Sequence, residues 1–274
     1  MDDRNDLIAL AERIEADAWE DIYAAVPPSF AASTGLRTER VGGGCLALLP
    51  ALPHPLFNRW IGFGLEAPVS DTDLDHVQAV YTQAGVAGYA LSPSPLAQTD
   101  DLDRRLQERG LSIPYRWTIM ARDTATPAPS PTADLAIRAI DQEEADLFAQ
   151  TLPRAYETPD FLLPLAAATV GHDRWHHYLA YDGVTPVACA ALYVTETAAW
   201  CGLAATLPSH RSRGAQSGLF ARRIADAAAL GCRYVITGTV EQTPDWPNAS
   251  YRNMVRAGFR QLYLRPNWSP SVTA

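Results

Sequence analysis

The stretch WCGLAATLPSHRSRGAQSGLF, Trp200 to Phe220, holds the residues of this chain best suited to gripping a multiply charged anion. An apolar run ending at Thr206 and Pro208 passes through a basic turn, Arg211-Ser212-Arg213-Gly214-Ala215-Gln216-Ser217, into an apolar pattern of helical period. A strand that enters a helix through such a turn gathers unpaired backbone N–H groups at one spot, where the positive end of the helix dipole adds to Arg211 and Arg213. Gly214, lacking a Cβ, lets that backbone come close to a phosphate or take a positive φ.

Elements on both sides must hold this turn in place. Residues 175–183 and 185–194 are two β-rich runs around Asp182-Gly183, a hairpin signal, and Glu196-Thr197 turns the chain into a strand over 198–206. Three antiparallel strands thus feed the turn. After it the pattern predicts a helix from Gln216 to Leu230 that turns Leu219, Phe220 and Ile224 inward, exposes Arg222, Arg223 and Asp226, and stops at Gly231. Arg233 to Val240 then reads as a buried parallel strand, as a connecting helix requires. This half opens with a strand at Leu135–Ala139 and a capping box from Asp141 to Glu144, ahead of a helix carrying Leu147 and Phe148. Thr158-Pro159 supplies the N-cap and first residue of a further helix.

Pro208, Arg211 and Arg213-Gly214 together resemble the pyrophosphate turn of the GCN5-related N-acetyltransferases, Gln/Arg-x-x-Gly-x-Gly/Ala. Arg211 and Gly214 fit, while Gln216 stands where the family usually has Gly or Ala. Pro247 to Trp268, PNASYRNMVRAGFRQLYLRPNW, is similar to the family's closing helix and strand, an Asn-bearing helix running into Arg-x-Gly-Phe. The resemblance implies acetyl-CoA as the donor. Its contacts would be the turn Arg211–Ser217, a backbone N–H at Ala205 or Thr206, and Asn248 and Asn253 on the closing helix, which in the family lies beside the pantetheine. Direct transfer to a primary amine of a small molecule follows, with the amine arriving neutral and attacking the thioester. Glu241, past the parallel strand, and Glu157, before the helix that overhangs the acceptor, are the candidate bases. The departure is Met254, four residues before Gly258, where many members carry a Tyr that protonates the leaving thiolate. Tyr251 is the nearest replacement acid or a packing residue, and water is the remaining donor. A chain that keeps the turn but lacks the Tyr also fits a second class, a catalytically silent acyl-CoA-binding or scaffolding protein.

The first half repeats the order strand, helix, strand, helix, strand. Its strands are 44–49, 58–65, 88–92 and 113–121, and its helices start at Ser70, in a capping box with Asp73, and at Thr99. Between the strand at 58–65 and the Ser70 helix lies EAPVSDTD, with Glu66, Asp71 and Asp73 but no Arg or Lys, a loop that repels a pyrophosphate. The expected fold is therefore α/β with a mixed sheet, in two tandem acyl-CoA N-acyltransferase-like domains. Residues 1–122 form a degenerate copy, 123–133 a Pro- and Ala-rich linker, and 134–274 the cofactor-binding domain. An unrelated α/β domain is the alternative for the first half.

Composition bounds the partners. With 31 acidic and 22 basic residues the net charge is −9, which argues against nucleic acid and favours a cationic or neutral amine. The longest apolar runs fall short of the ~20 residues of a membrane span, and the start, MDDRNDLIALAERIEADAWEDIY, is an acidic amphipathic helix rather than a signal peptide. A cytoplasmic monomer or homodimer is expected. Cys45, Cys189, Cys201 and Cys232 are scattered, so buried reduced thiols are expected. His172, His176 and His177 have no Cys or carboxylate at a ligand-like spacing, so no metal is expected.

Overall fold

The computed structural model describes residues 3–97, 101–128, 130 and 134–271. In chain order the elements are α1 (Asp3–Ala24), α2 (Pro28–Thr34), β1 (Arg37–Val41), β2 (Gly44–Leu48), β3 (Arg59–Ile61), α3 (Asp71–Gln83), β4 (Ala90–Ser92), α4 (Leu102–Glu108), β5 (Leu111–Asp123), β6 (Ala136–Ile140), α5 (Ala145–Tyr156), α6 (Leu163–Ala167), β7 (Trp175–Asp182), β8 (Thr185–Val194), β9 (Ala198–Thr206), α7 (Ala215–Ala229), β10 (Tyr234–Val240), α8 (Ala249–Arg256) and β11 (Arg260–Pro270). The succession α-α-β-β-β-α-β-α-β runs from α1 to β5 and again from α5 to β11. It is a mixed α/β fold.

The chain forms two compact units, Met1–Ile119 with Leu262–Ala274, and Met120–Gln261. These differ from the expected domains at the C-terminal side, because most of β11 packs in the first unit. Asp123 is the last residue of β5 rather than linker, and Thr124 is held by its N–H on the Arg233 carbonyl (3.1 Å). Residues 129 and 131–133 of the expected linker, and the expected helix start at Thr99, lie outside the described residues.

In the first unit the strand order is β1-β2-β3-β4-β11-β5. β3 and β4 are parallel with α3 between them, and Trp268 of β11 pairs antiparallel with Leu91 of β4. β3 is shorter than expected because Gly62 (φ 70°) and Gly64 (φ 75°) turn out of the strand. The sequence reading missed α2 and β1, whose Pro- and Gly-rich flanks hide their short patterns. Leu74, Val77 and Tyr81 of α3 bury against Leu46, Leu48, Trp60, Leu91 and Trp268.

α1 carries two carboxylates into this unit's interior. Glu15 accepts from Arg59 (2.9 Å) and Arg265 (2.8 Å), and Glu12 accepts from Arg265 (3.4 Å) and the Tyr263 hydroxyl. All four charged side chains are at most 5% exposed. Burial pushes Glu12 above the ordinary carboxylate range, and its contacts with Arg265 and Tyr263 do not bring it back. Burial also acts on Glu15, but the Arg265 and Arg59 guanidinium groups outweigh it and hold that carboxyl low.

The second unit orders its strands β10-β9-β8-β7-β6, antiparallel except for the parallel β9–β10 pair that α7 connects. Leu219, Phe220 and Ile224 of α7 pack with Met254 and Phe259 on a sheet surface of Tyr178, Ala188, Ala190, Leu192 and Cys201. On α5, Phe148 stands edge-on to His177 of β7 (4.7 Å between centroids). All four cysteines are buried and free. Arg223, expected on the surface, is fully buried. Its Nε donates to the Leu219 carbonyl (3.1 Å), one Nη donates to the Ala191 carbonyl (3.2 Å), and the guanidinium lies over the Phe220 ring. The expected capping box at Asp141 is only half formed, since Asp141 Oδ1 accepts from Glu143 N–H and a 3₁₀ turn precedes α5. Thr158 caps no helix; its hydroxyl turns back toward the Pro153 carbonyl, and a 3₁₀ turn at Asp160–Leu162 leads into α6.

The two carboxylates on α1 should respond differently to neutralisation. Glu15→Gln leaves two buried guanidinium groups without their shared anion and should cost about 3–5 kcal/mol. Glu12→Gln replaces a group whose burial already favours its neutral form and should cost less than Glu15→Gln. Urea unfolding of both variants checks this, and equal losses would count against it.

Candidate active site

The parallel β9–β10 ladder consists of Tyr234↔Ala198, Val235↔Ala199 and Ile236↔Trp200, although both strands run on to Thr206 and Val240. Beyond the third pair the Thr237 hydroxyl donates to the Cys201 carbonyl (3.0 Å). Gly202, Leu203, Ala204 and Thr206 on one strand and Gly238, Thr239 and Val240 on the other are half-buried. Two parallel strands that stop bonding leave backbone donors and acceptors facing a gap.

A bulge shapes β9 at this gap. Ala191 pairs with Gly202 and Cys189 with Ala205, so Leu203 and Ala204 together oppose Ala190, and Leu203 takes φ 45°. Leu207 N–H bonds the Val187 carbonyl, which sets the alternation of the ladder: Ala205 faces β8, while Thr206 and Ala204 turn their backbone groups away from it, toward the gap. Of the two expected backbone donors, Thr206 is the one presented there. The Trp200 indole lies across Gly202, where any Cβ would meet the ring at 2.0 Å.

Leaving β9, the chain makes a 3₁₀ turn at Pro208–His210 and enters α7 through Gly214, the N-cap residue, at φ 80°. No side chain caps this helix and no acid lies in its first turn. The first helical bond joins Gly218 N–H to the Gly214 carbonyl, so the N–H groups of Ala215, Gln216 and Ser217 precede it. In the first unit α3 follows β3 in the same way, but its start is filled. Ser70 Oγ accepts from Asp73 N–H (3.0 Å), Asp73 Oδ2 accepts from Ser70 N–H (3.3 Å), and Asp71 is paired with Arg105 and Arg109. Two like crossovers therefore have opposite character, one closed by carboxylates and one open to an anion.

The two arginines of the turn differ. Arg213 is bound to Asp182 (2.6 Å) and Asp134 (3.4 Å), which also holds the Asp182 carboxyl below its usual range. His210 reaches the same Asp182 (3.3 Å), so the β7–β8 hairpin turn buttresses the basic turn. Arg211 faces carbonyls alone, Thr206 (3.4 Å) and Ala155 (3.3 Å), and so links the end of β9 to the last turn of α5. Ser212 sits at φ 65° between them. Gln216 sends its carboxamide back to the Thr206 hydroxyl (3.0 Å).

α5 ends over the same gap. Glu157 Cα is left-handed (φ 56°) and its N–H, like that of Thr158, bonds the Pro153 carbonyl. Just before it, the Tyr156 hydroxyl donates to the Ala204 carbonyl (2.7 Å). Among the described residues Glu157, Leu203 and Ser212 are the non-glycine residues with positive φ, and all three border this gap and turn. Each such residue costs of order 1–3 kcal/mol, and strain of this kind gathers where geometry serves a ligand.

On the far side, Asn248 accepts from Ser250 and Tyr251 N–H and donates to Thr239 Oγ1 and the Val240 carbonyl. Its carboxamide is thus spent on capping α8 and fastening it to β10. Asn253 accepts from Arg256 (3.2 Å). Met254 is buried in the core, and the half-buried Tyr251 packs against that core. Glu241 directly follows β10 and is half-buried; Glu157 is exposed. Glu241 is at the C-terminal end of β10, and Glu157 follows Tyr156, whose hydroxyl reaches Ala204 of β9. No group of three or more His, Cys, Asp or Glu among the described residues has metal-site geometry, and no helix among them is long and apolar enough to cross a membrane. Sequence reading missed Tyr156 and the Leu203 bulge, because no local pattern marks a contact across 48 residues.

A family model described as an acetyltransferase (GNAT) domain matches residues 97–261. Among solved structures, a GCN5-related N-acetyltransferase from Kribbella flavida is similar over 96% of this chain and 96% of its own, with TM-score 0.63 and 18% identity. A functionally unknown conserved protein from Staphylococcus epidermidis is similar over 85% and 92% (TM-score 0.58, 13% identity). A tandem GNAT protein from the clavulanic acid biosynthesis pathway is similar over 83% and 78% (TM-score 0.56, 16% identity). At these identities the likeness is one of fold, and no curated protein matches the chain. An open helix start behind a parted parallel pair, within a stretch of more than half the chain that fits the family model, leads to one conclusion: the chain belongs to the GNAT acetyltransferase family.

Proposed function

We propose that the second unit transfers the acetyl group of acetyl-CoA directly to a primary amine of a small molecule. Acetyl-CoA is the acyl donor of the family, and the residues present suit it. The observation that carries the reading is the uncapped start of α7, with three N–H groups unspent, next to the gap between β9 and β10. The pyrophosphate would take the amides of Ala215, Gln216 and Ser217, with Arg211 adding charge, and the pantetheine amides would bond Thr206 and its neighbours as a missing strand would. Gly214 at φ 80° keeps the approach open.

Bound this way, the thioester would lie between the ends of β9 and β10, where Glu241 and Glu157 are the carboxylates that can take the proton the acceptor nitrogen sheds. With Asp160 and Asp245 nearby in sequence and a net charge of −9, the field favours a cationic or neutral amine. The first unit is proposed as a degenerate copy that binds no acetyl-CoA. The capping box, which takes the Asp73 N–H, and the carboxylates of Asp71 and Asp73, which would repel a phosphate, support this.

Calorimetry on the full chain should find one acetyl-CoA site, and a screen of small amines should then find acceptors that release coenzyme A thiol. Two sites, or none, would refute the assignment of the donor site.

Gly214→Asp gives α7 the acidic plug that α3 already has. It should weaken acetyl-CoA binding at least about tenfold by repulsion while leaving Tm nearly unchanged, because Asp tolerates the left-handed region better than other residues with a Cβ. Retained affinity would show that phosphate binds elsewhere.

Arg211 and Arg213 should separate in the same assay. Arg211→Glu should weaken binding about tenfold or more, whereas Arg213→Gln, which removes a charge already neutralised by Asp182 and Asp134, should change it less than about threefold. The reverse order would reassign the phosphate contact to Arg213.

A further inference from the structure

The family's usual proton donor to sulfur is replaced by Met254, which is buried in the core, and Tyr251 packs against that core. Another tyrosine stands at the gap. Tyr156 ends α5 with its hydroxyl on the Ala204 carbonyl (2.7 Å), and Ala204 lies in the bulge, its backbone groups turned to the side from which β10 has parted. Both ends of this contact are built at a cost in backbone strain, Glu157 following Tyr156 and Leu203 preceding Ala204. Tyr156 as a residue is 60% exposed and belongs to neither buried core, so the phenol can swing without unpacking one. The Arg211 guanidinium on the Ala155 carbonyl ties the same turn of α5 to the start of the phosphate site.

We infer that Tyr156 is a catalytic residue of this site, its hydroxyl turning from the Ala204 carbonyl to the thioester sulfur and stabilising the thiolate as it departs. The inference rests on the acetyl-CoA reading given above. In the step, the acceptor nitrogen's lone pair forms the C–N bond and the C–S electron pair leaves on sulfur. The phenol donates a hydrogen bond to that sulfur and keeps its own proton. The proton shed by the acceptor nitrogen goes to a carboxylate or water, and solvent protonates the released thiolate. Donation without transfer follows from acidity. A phenol of ordinary acidity has a pKa of about 10, whereas a thiol of ordinary acidity has one of about 8.5. Handing over the proton would be uphill, but a neutral O–H facing a thiolate makes a charge-assisted bond.

The test reads the sulfur directly and needs no acceptor. Coenzyme A is bound to the full chain and its thiol titrated by the ultraviolet absorbance of the thiolate. Tyr156→Phe should raise the pKa of the bound thiol by about one unit, tenfold less thiolate at a given pH, as expected for loss of one hydrogen bond to a charged group. Tyr251→Phe should leave it where it is in the wild type. Tyr156→3-fluorotyrosine, with a more acidic phenol, should lower it further, and serves if the Phe variant folds poorly. A bound-thiol pKa that is the same with and without the Tyr156 hydroxyl overturns the role and leaves Tyr156 a tether of α5. A shift in Tyr251→Phe alone moves the role to Tyr251. Wild-type protein that binds no coenzyme A defeats the donor-site reading itself, and this inference with it.

Discussion

Unspent backbone hydrogen bonding is the constraint from which the second unit's site follows. A parallel pair joined by a crossover helix would ordinarily bond along its length, yet β9 and β10 bond over three residues and then part. Every amide and carbonyl released by that divergence needs a partner. Side chains meet part of the demand: Thr237 takes the Cys201 carbonyl, Tyr156 takes Ala204, and Arg211 takes Thr206. What they do not meet, together with the amides at the start of α7, is the unpaired backbone on which the proposed donor site rests.

The two units show how little separates an open helix start from a capped one. Both place a helix between parallel neighbours, and the fold is common to both. The difference is a Ser and two Asp at one start and a Gly at the other. Carboxylates are also used within the second unit, but at a distance: Asp182 and Asp134 draw Arg213 aside and steady the turn, leaving Arg211 facing carbonyls only. The acidity of the chain as a whole therefore coexists with a local positive end.

Signals carried by neighbours in sequence were legible in the chain itself. The Asp182-Gly183 hairpin, the Ser70 capping box, the limits of α7 and the basic turn each depend on residues a few positions apart, and each is where the spacing puts it. Features set by distant contacts were not. Arg223 reads as a surface charge because its helix neighbours Arg222 and Asp226 are charged, yet its partners are carbonyls at Leu219 and, 32 residues away, Ala191. Asn248 reads as a ligand contact from its place in a motif, while its geometry spends it as a cap. Thr158-Pro159 has the composition of a helix start, but the carbonyl of Pro153 captures the hydroxyl. Most of β11, assigned from sequence to the second half, lies in the first unit because Trp268, Tyr263 and Arg265 find their partners there.

That last placement bears on how the protein is made. The Arg265–Glu15 bond closes a loop of 250 residues, and Trp268 completes a core whose other members lie before residue 112. Glu15 and Arg59 are therefore synthesised long before the strand that shares their charge, and the first unit must wait, with an open sheet edge beside β4, until residue 270 has left the ribosome. The second unit, drawn from 120–261, has all of its own strands by then. The half of the molecule translated first thus cannot complete its sheet until its last strand has been made, and the interval in between is when an exposed β4 edge is open to a chaperone or to another chain.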